Sequence, residues 1–429
     1  MKLFMRLSII FIIISSQASA SNYTKVAGAF YEDDPFDANI EIFFQGFYKN
    51  STITREFLDK NRGILIDAKN LDYNETYYLL SPKLELGVFR DLELYTVLPI
   101  YLNYEKSINF ATQSGWKQIT MNKTNTYYGQ TTPDPNKIIR NIPDKAVRGG
   151  FGDMSVGIKW APFYDQKPYN ILKRDKGKLN WDDTMATWVL GIEYTIPTGA
   201  RYDLDEQATG SNKGDIGKKL QILSFWTAFS KRFEYVDPYF GVSYNLPLTI
   251  NSSLITGSHR AGFDIGTEII PYEDVQLGNK FAFDFRLSAT FVSNADKAYS
   301  EIAEFLPNFK KDANGNYING DDGLPLIDSW GRVTATEQYF EFRGLFGLSF
   351  VVAKYLRLMA NIGFGHDTLH YLTFANSCSD DRNNNGRCSR DEGDVPNPVY
   401  EPILDQRGNR FRLADTFIIF WNVSATGQF

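Results

Sequence analysis

From Phe417 to Phe429 the side chains change character at almost every step. Phe417, Ile419, Trp421, Val423, Ala425 and Phe429 fall in one row, and Ile418, Asn422, Ser424, Thr426 and Gln428 fall in the other. A period of two marks an extended strand whose two faces meet different surroundings. The pattern recurs along the chain. Phe340, Phe342, Phe346, Leu348 and Phe350 oppose Glu341, Arg343, Gly347 and Ser349. After a short turn near 351–354, Leu356, Leu358, Ile362 and Phe364 alternate with Arg357, Met359, Asn361 and Gly363. Residues 263–269 and 279–293 repeat the theme, joined by a short link. Residues 220–247 read as a hairpin turning near 233–235, and 74–105 as another turning at Arg90-Asp91. Single strands at 38–48, 152–163 and 185–196 bring the expected number to twelve, or fourteen if 108–128 adds a hairpin.

Past Ala20 no stretch approaches the roughly 18 apolar residues that a membrane helix needs. The mean hydropathy of −0.32 is that of a soluble chain. A strand wall with one face toward lipid and one toward a polar interior gives the same average. Aromatic residues make up 15% of the sequence, with 33 Phe and 25 Tyr, and barrel walls use such residues on the lipid face and in the interfacial girdles. The expected fold is therefore all-β: a transmembrane, antiparallel, up-and-down β-barrel. An even strand number places both ends on one side. The links expected outside are 49–73, 106–151, 197–219, 248–260, 294–334 and 368–412. Those expected inside are 90–91, 164–184, 233–234, 273–278 and 351–354. Long links outside and short ones inside is the barrel rule, with 164–184 the exception.

The N-terminus carries Lys2 and Arg6, an apolar run from Ile9 to Ile14, and the small residues Ala18-Ser19-Ala20. These are the parts of a cleaved secretory signal. Residues 1–20 are expected to leave, 21–37 to form a periplasmic N-terminal segment, and 38–429 to form a barrel in the outer membrane. The terminal Phe429 resembles the C-terminal signature that barrel-insertion machinery reads. Expected partners are thus outer-membrane lipid, that machinery and a small-molecule solute. The net charge of −6 becomes −8 once Lys2 and Arg6 leave, which argues against nucleic acid.

The row facing inward is charged. It holds Glu85, Glu93, Lys159, Glu193, Asp284, Arg286, Glu341, Arg343 and Arg357, together with Asp153, Arg232, Asp237, Asp264 and Glu268. Such charges are costly in lipid and tolerable around water or in pairs. Mixed signs point to ion pairs that brace the wall, or to a polar passage without strong ion selectivity. Cys378 and Cys388 are the two cysteines, and in an exported chain they read as one disulfide. Between and beyond them, Asp381, Asn383, Asn385, the carbonyl of Arg387 and Glu392 match the spacing of a twelve-residue calcium loop, with Gly386 at its sixth position. Two readings stand: a Ca²⁺ site, or a polar loop stapled by a disulfide. The segment 312–323 looks similar but lacks the sixth-position glycine, and its Asn-Gly steps suit tight turns. His366-Asp367 and Ser258-His259 sit at the rim without a companion motif, so no enzyme is expected.

Three segments carry a family resemblance. They are Leu84 to Leu94 followed by Leu98-Pro99, Gly152 to Trp160, and Tyr194-Thr195-Ile196-Pro197-Thr198-Gly199. They resemble the outer-membrane family associated with the meta pathway of phenol degradation, itself similar to the long-chain fatty-acid transporter barrels. The likeness covers roughly residues 75–245 and the last strand. It implies passage of small, often hydrophobic compounds and brings no catalytic residues. Those transporters carry an N-terminal plug, whereas here about seventeen residues precede the first strand, so a full plug is not expected. The function expected is a channel or transporter for passive passage of small solutes. The alternative is a surface-display barrel whose large loops bind calcium, ligands or partners.

Overall fold

A computed structural model describes residues 21–29, 37–59, 63–110, 143–163, 186–204, 214–248, 255–274 and 277–429, apart from 314, 322, 324, 383, 384, 386 and 387. Twelve antiparallel strands form the wall. They are β1 (Ala38–Asp59), β2 (Ile64–Phe89), β3 (Leu92–Val97 continued by Ile100–Phe110) and β4 (Lys145–Phe151 continued by Met154–Phe163). Then come β5 (Thr187–Ile196), β6 (Gln221–Ser230), β7 (Val236–Leu248) and β8 (Arg260–Asp274). The last four are β9 (Asn279–Val292), β10 (Tyr339–Val352), β11 (Leu356–Asp367) and β12 (Phe411–Gln428). Each pairs with the next in sequence, and β12 returns to β1 in a register running from Asn39↔Gln428 to Arg55↔Phe411. The sheet closes on itself, the arrangement that lets strands cross a bilayer with their backbone groups satisfied.

Burial is inverted relative to a water-soluble protein. Ile40, Phe263, Leu287, Phe342, Phe364 and Phe417 are exposed, while Glu93, Asp237, Glu268 and Thr426 are buried. The outward row is the apolar one, so the exterior is a lipid-facing belt of the outer-membrane type. Among the described residues no helix is long and apolar enough to cross a membrane. Short turns gather at one end with Ala38 and Phe429. Residues in the left-handed region make them: Arg90, Glu234, and the consecutive pair Ala353-Lys354. That conformation matches the right-handed twist of hairpin strands.

Two expectations about loops need correction. Residues 49–73 are not an outer loop; β1 and β2 continue to Asp59 and from Ile64 as one long hairpin. Their pattern is broken by register shifts between Ile53 and Thr54 against β2 and between Asn50 and Thr52 against β12. Likewise β3 runs on to Phe110 and β4 starts at Lys145. The described part of the barrel has twelve strands, and most of the candidate extra hairpin at 108–128 lies outside the described residues, as do residues 1–20 and all of 164–184.

Both ends of the lumen are occupied. At the long-loop end, Ile302, Phe305 and Leu306 from the β9–β10 connection pack on Ile53, Leu71, Phe411 and Leu413 of the wall extensions. At the short-turn end, Ser21–Ala29 lies inside the barrel, with Ser21, Thr24, Val26, Ala27 and Ala29 all buried. The sequence alone places this stretch outside the barrel and argues against a plug. Its contacts are to residues distant in the chain, which no local pattern announces.

Candidate functional site

Nine of the fourteen charged residues read as inward from alternation, Glu85, Glu93, Lys159, Glu193, Asp284, Arg286, Glu341, Arg343 and Arg357, lie in three layers. At the short-turn end Lys159 bridges Glu85 at 2.8 Å and Glu93 at 2.6 Å, and Lys83 joins Glu85. The N-terminal segment is tied into this layer. The amide of Ala27 donates to Glu93 at 2.7 Å, and that of Asn22 to Glu268 at 2.7 Å. Arg357 donates to Asn22 at 3.3 Å and to Thr426 at 3.4 Å. The segment lies so close to the wall that a Cβ on Gly87 would stand 1.9 Å from the carbonyl oxygen of Gly28. Gly87→Val is therefore expected to expel the segment and make the chain cleavable by trypsin after Lys25, read as an N-terminal truncation of a barrel that stays folded. A resistant Lys25 in that variant argues against the packing described.

In the middle layer Tyr23 stacks on Tyr239 with ring centres 4.6 Å apart and donates its hydroxyl to Asp264 at 2.8 Å. Arg286 lies over the Tyr23 ring at 4.7 Å and pairs with Asp284 at 3.1 Å. Tyr95 donates to Glu193 at 2.9 Å. Asp284 and Arg286 neutralise each other along one strand, whereas Glu193 accepts from the Tyr95 hydroxyl and Asp264 from the hydroxyls of Tyr23 and Ser288.

At the long-loop end Arg260 pairs with Glu341 at 2.5 Å, and Arg343 with Asp367 at 2.8 Å. Alternation did not single out the residues that close this end. Lys49 of β1 holds Glu301 at 2.8 Å and Asp367 at 2.9 Å. Arg148 of β4 pairs with Glu304 and donates to the carbonyls of Asp215 at 3.0 Å and Asp203 at 2.8 Å. Burial pushes the Glu301 carboxyl up, but Lys49, with His370 behind it, outweighs burial and holds it at about 2. The signal for this docking was the cluster of Ile302, Ala303, Phe305 and Leu306 around Glu304.

Between the tyrosines and the inward loops lies a cavity of about 230 Å3, lined among others by Pro99, Tyr101, Tyr104, Lys218, Leu220 and Ile222. That is far above the roughly 15 Å3 that one water occupies on this measure. It adjoins an irregular part of the wall. β3 is interrupted at Leu98-Pro99 and β4 at Gly152-Asp153. β5 has ended at Ile196 and β6 begins only at Gln221, so the outer half of β4 is flanked by coil. The Gly149 N–H donates to the Gly214 carbonyl and the Gly214 N–H to the Val147 carbonyl, both at 3.0 Å, and a Cβ on Gly217 would stand 2.4 Å from the Ala200 carbonyl oxygen. Among the described residues the resulting seam is held by backbone bonds and by the Arg148 side chain in place of a strand ladder.

The remaining candidate residues lie in the outer loops and at the rim. Cys378 and Cys388 form a disulfide with Cα atoms 5.3 Å apart. Of the calcium-loop set, Asn383 and Arg387 lie outside the described residues. The side-chain amide of Asn385 donates to Glu392 at 2.8 Å, and its backbone N–H to Asp381 at 3.3 Å. Among the described residues no group of three His, Cys, Asp or Glu side chains is placed to hold a metal. His366 is exposed on the outer face, while Asp367 is buried on the inner one, so the two do not form a dyad. His370 is buried and stacks on Tyr339 at 3.9 Å, and His259 meets the Tyr244 hydroxyl at 2.8 Å.

No family profile matches the chain, and no curated protein matches it. Among solved structures it is similar to an outer-membrane channel from Pseudomonas putida F1, at 12% identity over 96% of this chain and 100% of that one, with a TM-score of 0.41. It is similar to a Pseudomonas aeruginosa FadL homologue at 7% identity over 96% and 98%, with a TM-score of 0.32. It is also similar to the outer-membrane protease OmpT from Escherichia coli at 8% identity over 93% and 99%, with a TM-score of 0.30. Channels and a protease stand side by side here, so function is argued from the lumen itself.

Proposed function

We propose that this barrel is a gated passage for small, partly apolar solutes across the outer membrane. The observation that carries the reading is the cavity with tyrosine and aliphatic walls, which Tyr299 of the inward-folded loop helps to line. Pro99, Leu220 and Ile222 offer apolar surface, and Tyr101, Tyr104 and Lys218 offer a few polar groups to orient a guest. Among the described residues the adjoining seam of coil is held by backbone bonds and by Arg148 in place of a strand ladder, and such a wall opens locally before a ladder does. The test is planar-bilayer conductance of the mature chain beside a chain lacking residues 21–29. Small steps from the first and larger steps from the second are expected. Silence from both, with the barrel folded, overturns a passage through the lumen.

A second reading is display of the outer loops, and the shared core of Ile302, Phe305 and Leu306 with the wall extensions favours it. These loops form a packed cap in place of free tethers. Within that reading the stapled loop at 381–392 takes Ca²⁺ through Asp381, Asn385 and Glu392, with Asn383 and Arg387 completing the set. Extracellular sites of this kind bind on the order of 10⁻⁴–10⁻³ M. Addition of ~10 mM CaCl₂, above that range, is expected to slow proteolysis of this loop, and Glu392→Gln to abolish the effect. Equal cleavage with calcium and with chelator sinks the calcium assignment.

A further inference from the structure

Removal of residues 1–20 turns Ser21 into the first residue of the chain. Hydrolysis adds water across the Ala20–Ser21 amide. Ala20 departs with the new carboxylate, and the Ser21 nitrogen takes up a proton to become an α-ammonium. The structure holds Ser21 fully buried, at 0% exposure. Charged side chains of the wall surround it, and all but one have partners. Arg232 holds Glu273 at 2.6 Å, and Lys280 holds Glu268 at 3.1 Å. The exception is Asp237. It is 0% exposed, neither of its carboxylate oxygens has a hydrogen-bond partner, and no ion pair among the described residues includes it. Its cross-strand neighbour is Glu268, whose carboxylate meets the Ser21 hydroxyl at 3.4 Å and accepts from the Asn22 amide at 2.7 Å.

Lys280 and Arg232 act on Asp237 only from a distance, and a buried carboxylate without a cation in direct contact is costly. A peptide nitrogen offers it one N–H and no charge. An ammonium offers three rotatable N–H groups and a full positive charge, enough for Asp237 and Glu268 together. We propose that Asp237, backed by Glu268, is the binding site for the α-ammonium of the processed N-terminus. Cleavage thereby creates the cation that locks the plug inside the lumen. Plug docking is coupled to export: an unprocessed chain lacks the charge its site is built for. The inference rests on processing after Ala20 and is independent of what passes through the barrel.

The test uses protein processed in the cell and extracted from outer membranes. Intact mass is expected to show Ser21 as the first residue. Labelling of the α-amine by an amine-reactive ester near neutral pH is expected to be at least tenfold slower in the folded protein than in urea. Asp237→Asn is expected to remove most of that protection. A second variant, with one glycine retained before Ser21 after processing, moves the ammonium by about 3.8 Å without touching the wall and is expected to lose protection likewise. A chain that starts elsewhere overturns the proposal. So does protection that survives in both variants. Conductance is not part of the readout, so failure of the passage reading leaves this result unaffected.

Discussion

Arg148→Met is expected to release both the β5–β6 and the β9–β10 connections from the wall while leaving the barrel closed. The guanidinium is almost fully buried, with 1% of its side chain exposed, and it serves both connections. It pairs with Glu304 of one and donates to the carbonyls of Asp203 and Asp215 of the other. It also lies over the Tyr202 ring at 3.7 Å. Methionine fills part of the space but supplies no donor. Glu304 then keeps Lys106, at 3.5 Å, as its other ion-pair partner. Breaking a buried pair from one side costs about 3–5 kcal/mol. Local openings of loops lie at the low end of a protein's stability range, so a loss of this size favours the undocked state. Limited proteolysis within 197–219 and 294–338 reads the outcome, beside heat-modifiable migration as a check on the barrel. The double variant Arg148→Met, Glu304→Leu removes both charges and is expected to recover much of the protection, because replacing both members of a buried pair is far cheaper than orphaning one. If Arg148→Met loops stay resistant, the apolar cluster around Ile302, Phe305 and Leu306 holds them by itself.

The wall was legible because each of its faces meets one uniform environment. Phe417 to Phe429 read as a strand since every outward position meets lipid. The turns were legible from where alternation stopped, not from turn chemistry, for Arg90, Glu234, Ala353 and Lys354 adopt left-handed conformations without glycine or asparagine. The outer extensions of β1 and β2 were hidden by two causes. Register shifts near Asn50, Thr52 and Ile53 break the period, and above the membrane the outward row no longer needs to be apolar. The inward charges were found by the same parity that found the lipid face. Their partners were not. Lys49 with Glu301, Arg148 with Glu304, and Glu93 with the amide of Ala27 join residues 252, 156 and 66 positions apart. Spacing of that kind is set by the closed topology and leaves no local trace. The N-terminal plug is the extreme case: nine residues without periodicity, placed entirely by contacts with strands that follow far later.

Acid is expected to open the long-loop end. Glu301 has a folded value of about 2 against an ordinary 4.5; burial works to raise it and Lys49 more than reverses that. Glu304 is also lowered: burial raises it, and Lys106 and Arg148 prevail. A carboxyl whose value is depressed by folding contributes stability that is complete above its unfolded value and disappears as pH falls through the folded one. For Glu301 that window runs from about 4.5 down to about 2, and the full shift corresponds to about 3 kcal/mol of loop docking. Asp405, in the outer cap, acts in the opposite sense. Burial raises it to about 6 against the backbone N–H groups of Glu401 and Ala375. Its contribution is therefore present at low pH and lost as pH rises from about 4 to about 6. Docking of the inward loop should thus be steady above pH 5 as far as Glu301 is concerned and weaken steeply below it. In planar bilayers, open events should become more frequent between pH 4.5 and 3, and Glu301→Gln should show that frequency already at pH 7, with a flattened acid response. An acid response of unchanged steepness in Glu301→Gln would assign the gate to other carboxylates. Because the Lys49 ammonium also holds Asp367 at 2.9 Å, Lys49→Met should open the same end at every pH and mark the lysine as the shared anchor.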